Sequence, residues 1–248
     1  MDERFIRSIF IDWTTIGTGS YLRKIEALKG LKTLEFNSNV TFFVGENGSG
    51  KSTLLEAMAI ACGFNPEGGT KNYSFSTYDS HSELYDAIRV VHGSRKARRG
   101  YFLRAESFYN VATMEERYAD EANPSQKYHE RSHGESFLAL AQNQLGPGGL
   151  YFFDEPEAAL SPQRQLTLLT EIYNCAANGS QFVIATHSPI LLGMPGTQIL
   201  SFDGGGIHPC EYEDTESYQV TEMFINDRKR LLDRLLQTDA VYLRGFLP

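Results

Sequence analysis

Apolar residues along this chain come in two rhythms, dense short runs and wider helical spacing, and the two alternate. The opening third carries the runs. Phe5–Trp13, Thr33–Phe36 and Val40–Val44 are rich in β-branched and aromatic residues and read as strands, separated by turn residues at Gly17-Thr18-Gly19-Ser20 and Asn37-Ser38-Asn39. A helix of roughly Ser52 to Cys62 follows. From about Asn65 to Arg131 the pattern loosens into a basic loop and short helical stretches, predicted to form an inserted helical lobe within a single domain spanning 1–248. Beyond it the order is helix (Ser136–Leu145), strand (Leu150–Phe153), helix (Ser161–Ala177), strand (Gln181–Ala185) and strand (Ile199–Phe202), with Gly204-Gly205-Gly206 turning back toward Ile207. Strands alternating with helices predict an α/β fold with a mostly parallel sheet, joined to an N-terminal antiparallel β part. In Gln219–Gln237, the spacing of Phe224, Leu231, Leu232, Leu235 and Leu236 predicts a docking helix.

Composition narrows the class. At 248 residues and 41% hydrophobic, the chain can bury the core of one large soluble domain. No run approaches the ~18 consecutive apolar residues of a membrane span, and the start Met-Asp-Glu-Arg-Phe lacks a signal peptide's order, so a cytoplasmic protein without direct membrane insertion is expected. Cys62, Cys175 and Cys210 are too few and too scattered for a disulfide framework or a zinc site. A net charge of −8 argues against a surface basic throughout. It leaves room for a local patch such as Arg95-Lys96-Ala97-Arg98-Arg99, which could touch nucleic-acid phosphates and reads more simply as a solvated turn.

The candidate chemistry begins at Gly45-Glu46-Asn47-Gly48-Ser49-Gly50-Lys51-Ser52, a complete Walker A loop directly after the strand Val40–Val44. Its glycines permit conformations in which successive N–H groups cradle phosphate oxygens, and the following helix adds its N-terminal partial charge. Gly45, Asn47, Gly48, Ser49, Gly50, Lys51, Ser52 and Thr53 are therefore the expected phosphate-binding set, with Lys51 reaching the β- and γ-phosphates and Ser52 suited to Mg²⁺. A second block, Leu150-Tyr151-Phe152-Phe153-Asp154-Glu155-Pro156, ends an apolar strand in two carboxylates. Where the chain bends at the strand exit both can approach the phosphate loop, Asp154 to hold Mg²⁺ and Glu155 as general base or water-positioning residue for attack on the γ-phosphate.

With these motifs in order, the chain resembles the ABC-class ATPases, and more closely small stand-alone bacterial ATPases of AAA or ABC type whose role is unassigned. Arg131-Ser132-His133-Gly134-Glu135, with Ser132 lying 22 positions before Asp154, looks like a variant of that class's Leu-Ser-Gly-Gly-Gln signature, with His133 in place of Gly and Glu135 in place of Gln. It is also a capping-box pattern. Glu157-Ala158-Ala159-Leu160-Ser161 stands where the class has its D-loop, and Thr186-His187-Ser188-Pro189 where it has a switch histidine. The resemblance implies an ABC-ATPase-type P-loop fold. It further implies that Ser132, Gly134 and Glu135 complete the site of a partner chain, and that His187 contacts the γ-phosphate. Phe102-Leu103-Arg104-Ala105-Glu106-Ser107-Phe108 sits where relatives have a Mg²⁺-sensing Gln; Glu106 or Ser107 could substitute, and a structural role for the strand end stands beside that reading. For stacking the adenine, Trp13 and Tyr21 are both available.

The function expected from these residues is a Mg²⁺-dependent ATPase, with ATP as its ligand, that closes as a head-to-tail homodimer and gives a mechanical or regulatory switch. An ATP-binding subunit of a membrane transporter is the alternative. A nucleotide-sensing module acting on a separate DNA-repair or phage-defence effector, a protein not identifiable from the sequence, is the third reading.

Overall fold

The computed structural model describes residues 4–71, 82–105 and 133–243. Nine strands are assigned among them: β1 (Ile6–Ile11), β2 (Thr33–Glu35), β3 (Val40–Val44), β4 (Ile88–His92), β5 (Arg99–Arg104), β6 (Gly149–Asp154), β7 (Gln181–Ala185), β8 (Gln198–Ser201) and β9 (His208–Pro209). The helices are α1 (Lys51–Ala61), α2 (Leu84–Ala87), α3 (His133–Gln144), α4 (Pro162–Ala177), α5 (Pro189–Leu192), α6 (Glu216–Asn226) and α7 (Arg228–Leu243). None of the helices in the described residues is long and apolar enough to cross a membrane.

β3, β6 and β7 are buried at every position, as strands covered on both faces must be. They lie inside a six-stranded sheet of order β5-β6-β7-β3-β8-β9, parallel except for the terminal β8–β9 pair, which the turn at 204–206 folds back antiparallel. Because side chains alternate across a strand, each apolar run supplies two cores at once. Phe43, Phe102, Phe152 and Val183 face Leu54, Leu55 and Met58 of α1 and Ile6 and Ile9 of β1. Phe42, Tyr151, Phe153, Phe182 and Ile184 face Phe137 of α3, Leu168 and Ile172 of α4 and Leu191 of α5. Burying each of these large apolar side chains contributes about 1.5–3 kcal/mol.

A second sheet, β2-β1-β4, is antiparallel and packs over α1. Gln181, buried at the start of β7, ties the two sheets together. Its Oε1 accepts from the backbone N–H groups of Phe5 and Ile6, both at 2.8 Å, and its Nε2 donates to Ile6 O at 2.8 Å.

Two expectations need correction. Within the stretch assigned to an inserted lobe, residues 88–92 and 99–104 are strands of the two sheets, paired with β1 and β6; residues 106–131 lie outside the described residues. Strand β4 reads Ile-Arg-Val-Val-His, and its short, half-polar run disguises an edge strand as a loop. The expected C-terminal docking helix is two helices, α6 and α7, broken at Asp227, whose φ of −137° leaves the helical region. Its apolar residues do not dock: Phe224, Leu235 and Leu236 remain exposed, and Leu231 and Leu232 are half-buried. Helical periodicity reports that one side of a helix is apolar and carries no information about what covers it.

Candidate phosphate-binding and catalytic site

The site forms at the C-terminal ends of β3 and β6, where the parallel strands deliver their loops to one edge of the sheet. After β3 the chain turns through the Walker A loop into α1, with left-handed Gly50 at the N-cap and no side chain capping the helix. Gly50 is required twice over. Its φ is 100°, and a Cβ there would lie 2.7 Å from Ile25 Cγ2, because the segment around Ile25 and Leu28 packs directly on the loop. Gly45 is similarly confined, with φ 137° and space for a Cβ taken by the carboxylate of Asp203, 2.9 Å away.

Lys51 is 4% exposed, and its Nζ donates to Gly45 O at 2.6 Å and Glu46 O at 2.8 Å. Burial pulls the ammonium pKa below its ordinary value, while Glu155, Asp203, Asp154 and Glu157 oppose the shift. The charge thus sits folded onto carbonyls of its own loop, available to exchange them for phosphate oxygens. The Ser52 hydroxyl donates to Asp154 Oδ1 at 2.8 Å, a bond between residues 102 positions apart. Both groups are hard oxygen donors of the kind Mg²⁺ prefers, so this pair fits that ion, with waters and phosphate oxygens left to complete its shell. Nearby, the Ser49 hydroxyl is buried with no hydrogen-bond partner, an orphan that a phosphate oxygen would satisfy.

Glu155 follows Asp154 at φ 49°, the one non-glycine residue in the left-handed region among the described residues. Such a conformation costs on the order of 1–3 kcal/mol and persists where the surroundings enforce it. Here the backbone is pinned on both sides, Glu155 N–H donating to Ala185 O at 2.9 Å and Glu155 O accepting from Ala158 N at 3.1 Å. The bend swings the Glu155 side chain into a cavity of about 110 Å³ lined also by Asn47, Gly48, Gly50, Lys51, Ser52 and Thr53. His187, at the exit of β7, places Nε2 4.0 Å from Glu155 Oε1. That nitrogen is itself buried without a hydrogen-bond partner.

Of the residues expected in the site, Gly45, Ser49, Asp154 and His187 thus lie around this cavity, and the other Walker A residues and Glu155 line it. Ser132 lies outside the described residues, as do Glu106 and Ser107. Gly134 and Glu135 stand at the start of α3 and do not line the cavity. Gly134 is packed on the loop after β6, where a Cβ would meet Ala159 O at 2.6 Å, and Glu135 pairs with Arg164 Nη2 at 2.9 Å. Trp13 is engaged within its own chain, donating from Nε1 to Leu31 O at 2.7 Å beneath the guanidinium of Arg23. Tyr21 stands exposed on the turn Tyr21–Lys24 that precedes Ile25.

Three further residues support the site in ways the sequence motifs do not assign to them individually. Arg104, ending β5, holds Glu56 of α1 at 2.5 Å and lies 3.8 Å from Asp154 Oδ2, bracing that carboxylate against the first helix. Asp203, just past β8, accepts from the Glu46 N–H at 3.0 Å and so fixes the entry to the phosphate loop. Glu157 accepts the backbone N–H of His187 at 2.6 Å through Oε1, while its Oε2 is buried without a partner. A charged residue at or just past the end of a largely apolar strand is the sequence signal for Arg104 and Asp203; for Glu157 the signal is a third acid close behind the first two.

Burial raises the Glu157 pKa above its ordinary 4.5, with the hydrogen bonds from His187 and Thr186 only partly opposing it. For a carboxylate raised in this way the folded state favours the proton, so the favourable contribution is present at low pH and is lost as pH climbs through the folded value. Glu157→Gln keeps the acceptor oxygen and removes the charge. It should match wild type in thermal stability near ~pH 4 and exceed it at ~pH 8, by ~2–4 °C for each kcal/mol recovered. Melting curves across that range test this, and a difference independent of pH would refute it.

Comparison with known proteins agrees with the geometry. The sequence profile of a family described as an AAA domain matches residues 18–144, and a second AAA-domain profile matches residues 136–193. The arabinose import ATP-binding protein AraG of Pseudomonas savastanoi pv. phaseolicola is 26% identical over 192 residues, 69% of this chain and 38% of that protein. The chain thus spans well under half the length of this curated relative. Structural maintenance of chromosomes protein 6 of Takifugu rubripes is 34% identical over 56 residues, 23% of this chain and 5% of that protein. Among solved structures, the SMC head domain from Thermotoga maritima aligns over 84% of this chain and 99% of its own at 15% identity, TM-score 0.45. An ATP-binding cassette of an ABC transporter in its ADP conformation aligns over 90% of this chain and 99% of its own at 17% identity, TM-score 0.46. With the first profile spanning half of its length and the whole phosphate loop, the chain belongs to the AAA domain family, among the P-loop ATPases of AAA and ABC type.

Proposed function

We propose that this chain binds and hydrolyses ATP with Mg²⁺ and that it does so as a head-to-tail homodimer that acts as a switch. The Ser52–Asp154 bond of 2.8 Å carries the reading. It joins the end of the phosphate loop to the end of β6, giving a hard-oxygen pair beside a buried ammonium, with a carboxylate and an imidazole facing the same cavity.

In this reading the loop amides and Lys51 hold the β- and γ-phosphates, and Ser52 and Asp154 hold the ion. Mg²⁺, when bound there, neutralises charge on the phosphate oxygens and orients them. Glu155 takes a proton from water as its oxygen attacks the γ-phosphorus. The bond from that phosphorus to the β–γ bridging oxygen breaks, leaving ADP and inorganic phosphate. His187 Nε2 donates to, or accepts from, the attacking water or a γ-phosphate oxygen, according to its tautomer.

The dimer is supported by what one chain leaves undone. The cavity of about 110 Å³ is small beside the roughly 300–1,000 Å³ of sites that enclose a whole ligand, and the catalytic side chains stay exposed, 45% at Glu155 and 38% at His187. A second chain laying the N-terminal end of its α3 over the nucleotide would exclude water from them. Ser132→Arg should therefore bind ATP through its own Lys51 and fail to hydrolyse it. Mixed with Lys51→Ala, itself inactive, it should regain partial activity from one composite site. Full hydrolysis by Ser132→Arg alone, at a rate independent of protein concentration, would mean that each site is complete in one chain.

A transporter subunit is the second reading, supported by the similarity to a protein named for arabinose import. It requires a transmembrane partner, and purification of the chain with such a protein would favour it.

A further inference from the structure

We propose that a basic cavity on the edge of the sheet opposite the phosphate loop binds the phosphodiester backbone of duplex DNA. The cavity, about 570 Å³, is lined by Lys71, Arg98 and Arg99, together with the polar side chains of Thr70, Asn143 and Gln144. It sits at the start of β5 and the end of α3, while Walker A follows the end of the parallel strand β3. A six-residue strand spans ~20 Å, so a ligand here cannot compete with one at Lys51.

Three observations select the ligand. First, among the described residues none of the cavity-lining side chains is a carboxylate, and Lys71, Arg98 and Arg99 have no ion pair with any described residue. In a chain of net charge −8 such a concentration of cations with no counter-charge among the described residues is unexpected by chance packing. Second, the cations continue beyond the cavity. Between Ile88 and Leu103 the chain carries Arg89, Arg95, Lys96, Arg98 and Arg99 and neither Asp nor Glu, a track suited to a polymer of regularly spaced charges more than to one small anion. Third, among the described residues no aromatic ring lines the cavity to give unstacked bases a platform, and the match is to the backbone of a duplex.

The cations are also held in place. Arg98 N–H donates to Gly148 O at 3.1 Å, and the Arg99 guanidinium lies flush on Gly146, where an added Cβ would come within 2.3 Å of Nη1. Lys71 Nζ is 4.9 Å from the ring centre of Phe64, itself buried against Phe152. A guanidinium held in place like that of Arg99 suits bidentate contact with phosphate oxygens.

The test is fluorescence anisotropy of a labelled 20-bp duplex, without nucleotide and in EDTA, from ~50 to ~200 mM salt. Wild type should bind, with log affinity falling linearly with log salt. Lys71→Ala with Arg98→Ala, both exposed positions, should keep the wild-type melting temperature, bind at least ~10-fold more weakly and reduce the salt slope by about 2, close to one for each phosphate no longer neutralised. Arg98→Lys should retain most of the affinity. Lys51→Ala should bind the duplex as wild type does, which separates this site from the ATP site. No binding by wild type at ~50 mM salt, an unchanged slope in the double variant, or loss of binding in Lys51→Ala would each overturn the proposal. So would binding of tripolyphosphate at these residues without binding of DNA.

Discussion

Lys51→Ala should abolish tight Mg-ATP binding while leaving the fold intact. The ammonium is the only charged group that the phosphate loop turns inward, and it is already desolvated and hydrogen-bonded to Gly45 O and Glu46 O. ATP therefore meets a charge whose dehydration cost has been met by folding, in a site with no second cation from the loop to replace it. Truncating one partner of such a buried charged contact costs ~2–5 kcal/mol, or about 30-fold to several-thousand-fold in affinity. A further penalty comes from Glu155, Asp203, Asp154 and Glu157, which surround the position and would face the triphosphate without the intervening positive charge. Isothermal titration calorimetry with Mg-ATP, set beside circular dichroism of the same variant, measures both halves of the prediction. A variant that binds ATP as tightly as wild type would show that phosphate is held elsewhere.

The second large effect is on turnover. Glu155→Gln should bind Mg-ATP with wild-type affinity and hydrolyse it at least ~100-fold more slowly, the scale of a lost positioned base. The amide preserves size and the left-handed backbone at φ 49°, so only the capacity to take a proton is removed. With hydrolysis blocked, the ATP-bound state persists and the variant should accumulate as a dimer, read by light scattering with and without ATP. Unchanged turnover would transfer the base role to His187, whose Nε2 is 4.0 Å from the Glu155 carboxylate. A slow variant that remains monomeric with ATP would instead separate the chemistry from the dimer.

Much of this is legible in the residues. Val40-Thr41-Phe42-Phe43-Val44 and Leu150-Tyr151-Phe152-Phe153 have too many consecutive apolar side chains for a strand with one wet face, and both are central strands. Each leads directly into polar residues of restricted type, the glycines and Lys51 after one, the two acids after the other. Local order is sufficient there, because strand, loop and helix follow one another without interruption and the chemistry is carried within about ten residues of chain. The same dependence on local pattern fails at β4, where a half-polar edge strand does not differ from a loop, and at α6 and α7, where an apolar stripe does not reveal whether anything covers it.

By itself, then, the sequence determined that the chain has a phosphate loop, an acidic strand exit and a histidine at a third strand end, since each is a contiguous motif with its own periodicity. Only the tertiary structure decided that they meet. Parallel β3, β6 and β7 lie side by side in register, Phe43 beside Ala185 and Asp154 beside Ala185, and this places Ser52 within hydrogen-bond distance of Asp154. It likewise decided the supporting contacts of Arg104 with Glu56 and Asp154, Asp203 with the Glu46 amide, and Glu157 with the His187 amide. Those pairs are 30 to 157 residues apart, and no periodicity of a helix or strand extends that far. Gathering Lys71 with Arg98 and Arg99 into one cavity was equally beyond the linear pattern, because closure of the sheet edge around β5, and no property of the basic run alone, sets which cations face the same space.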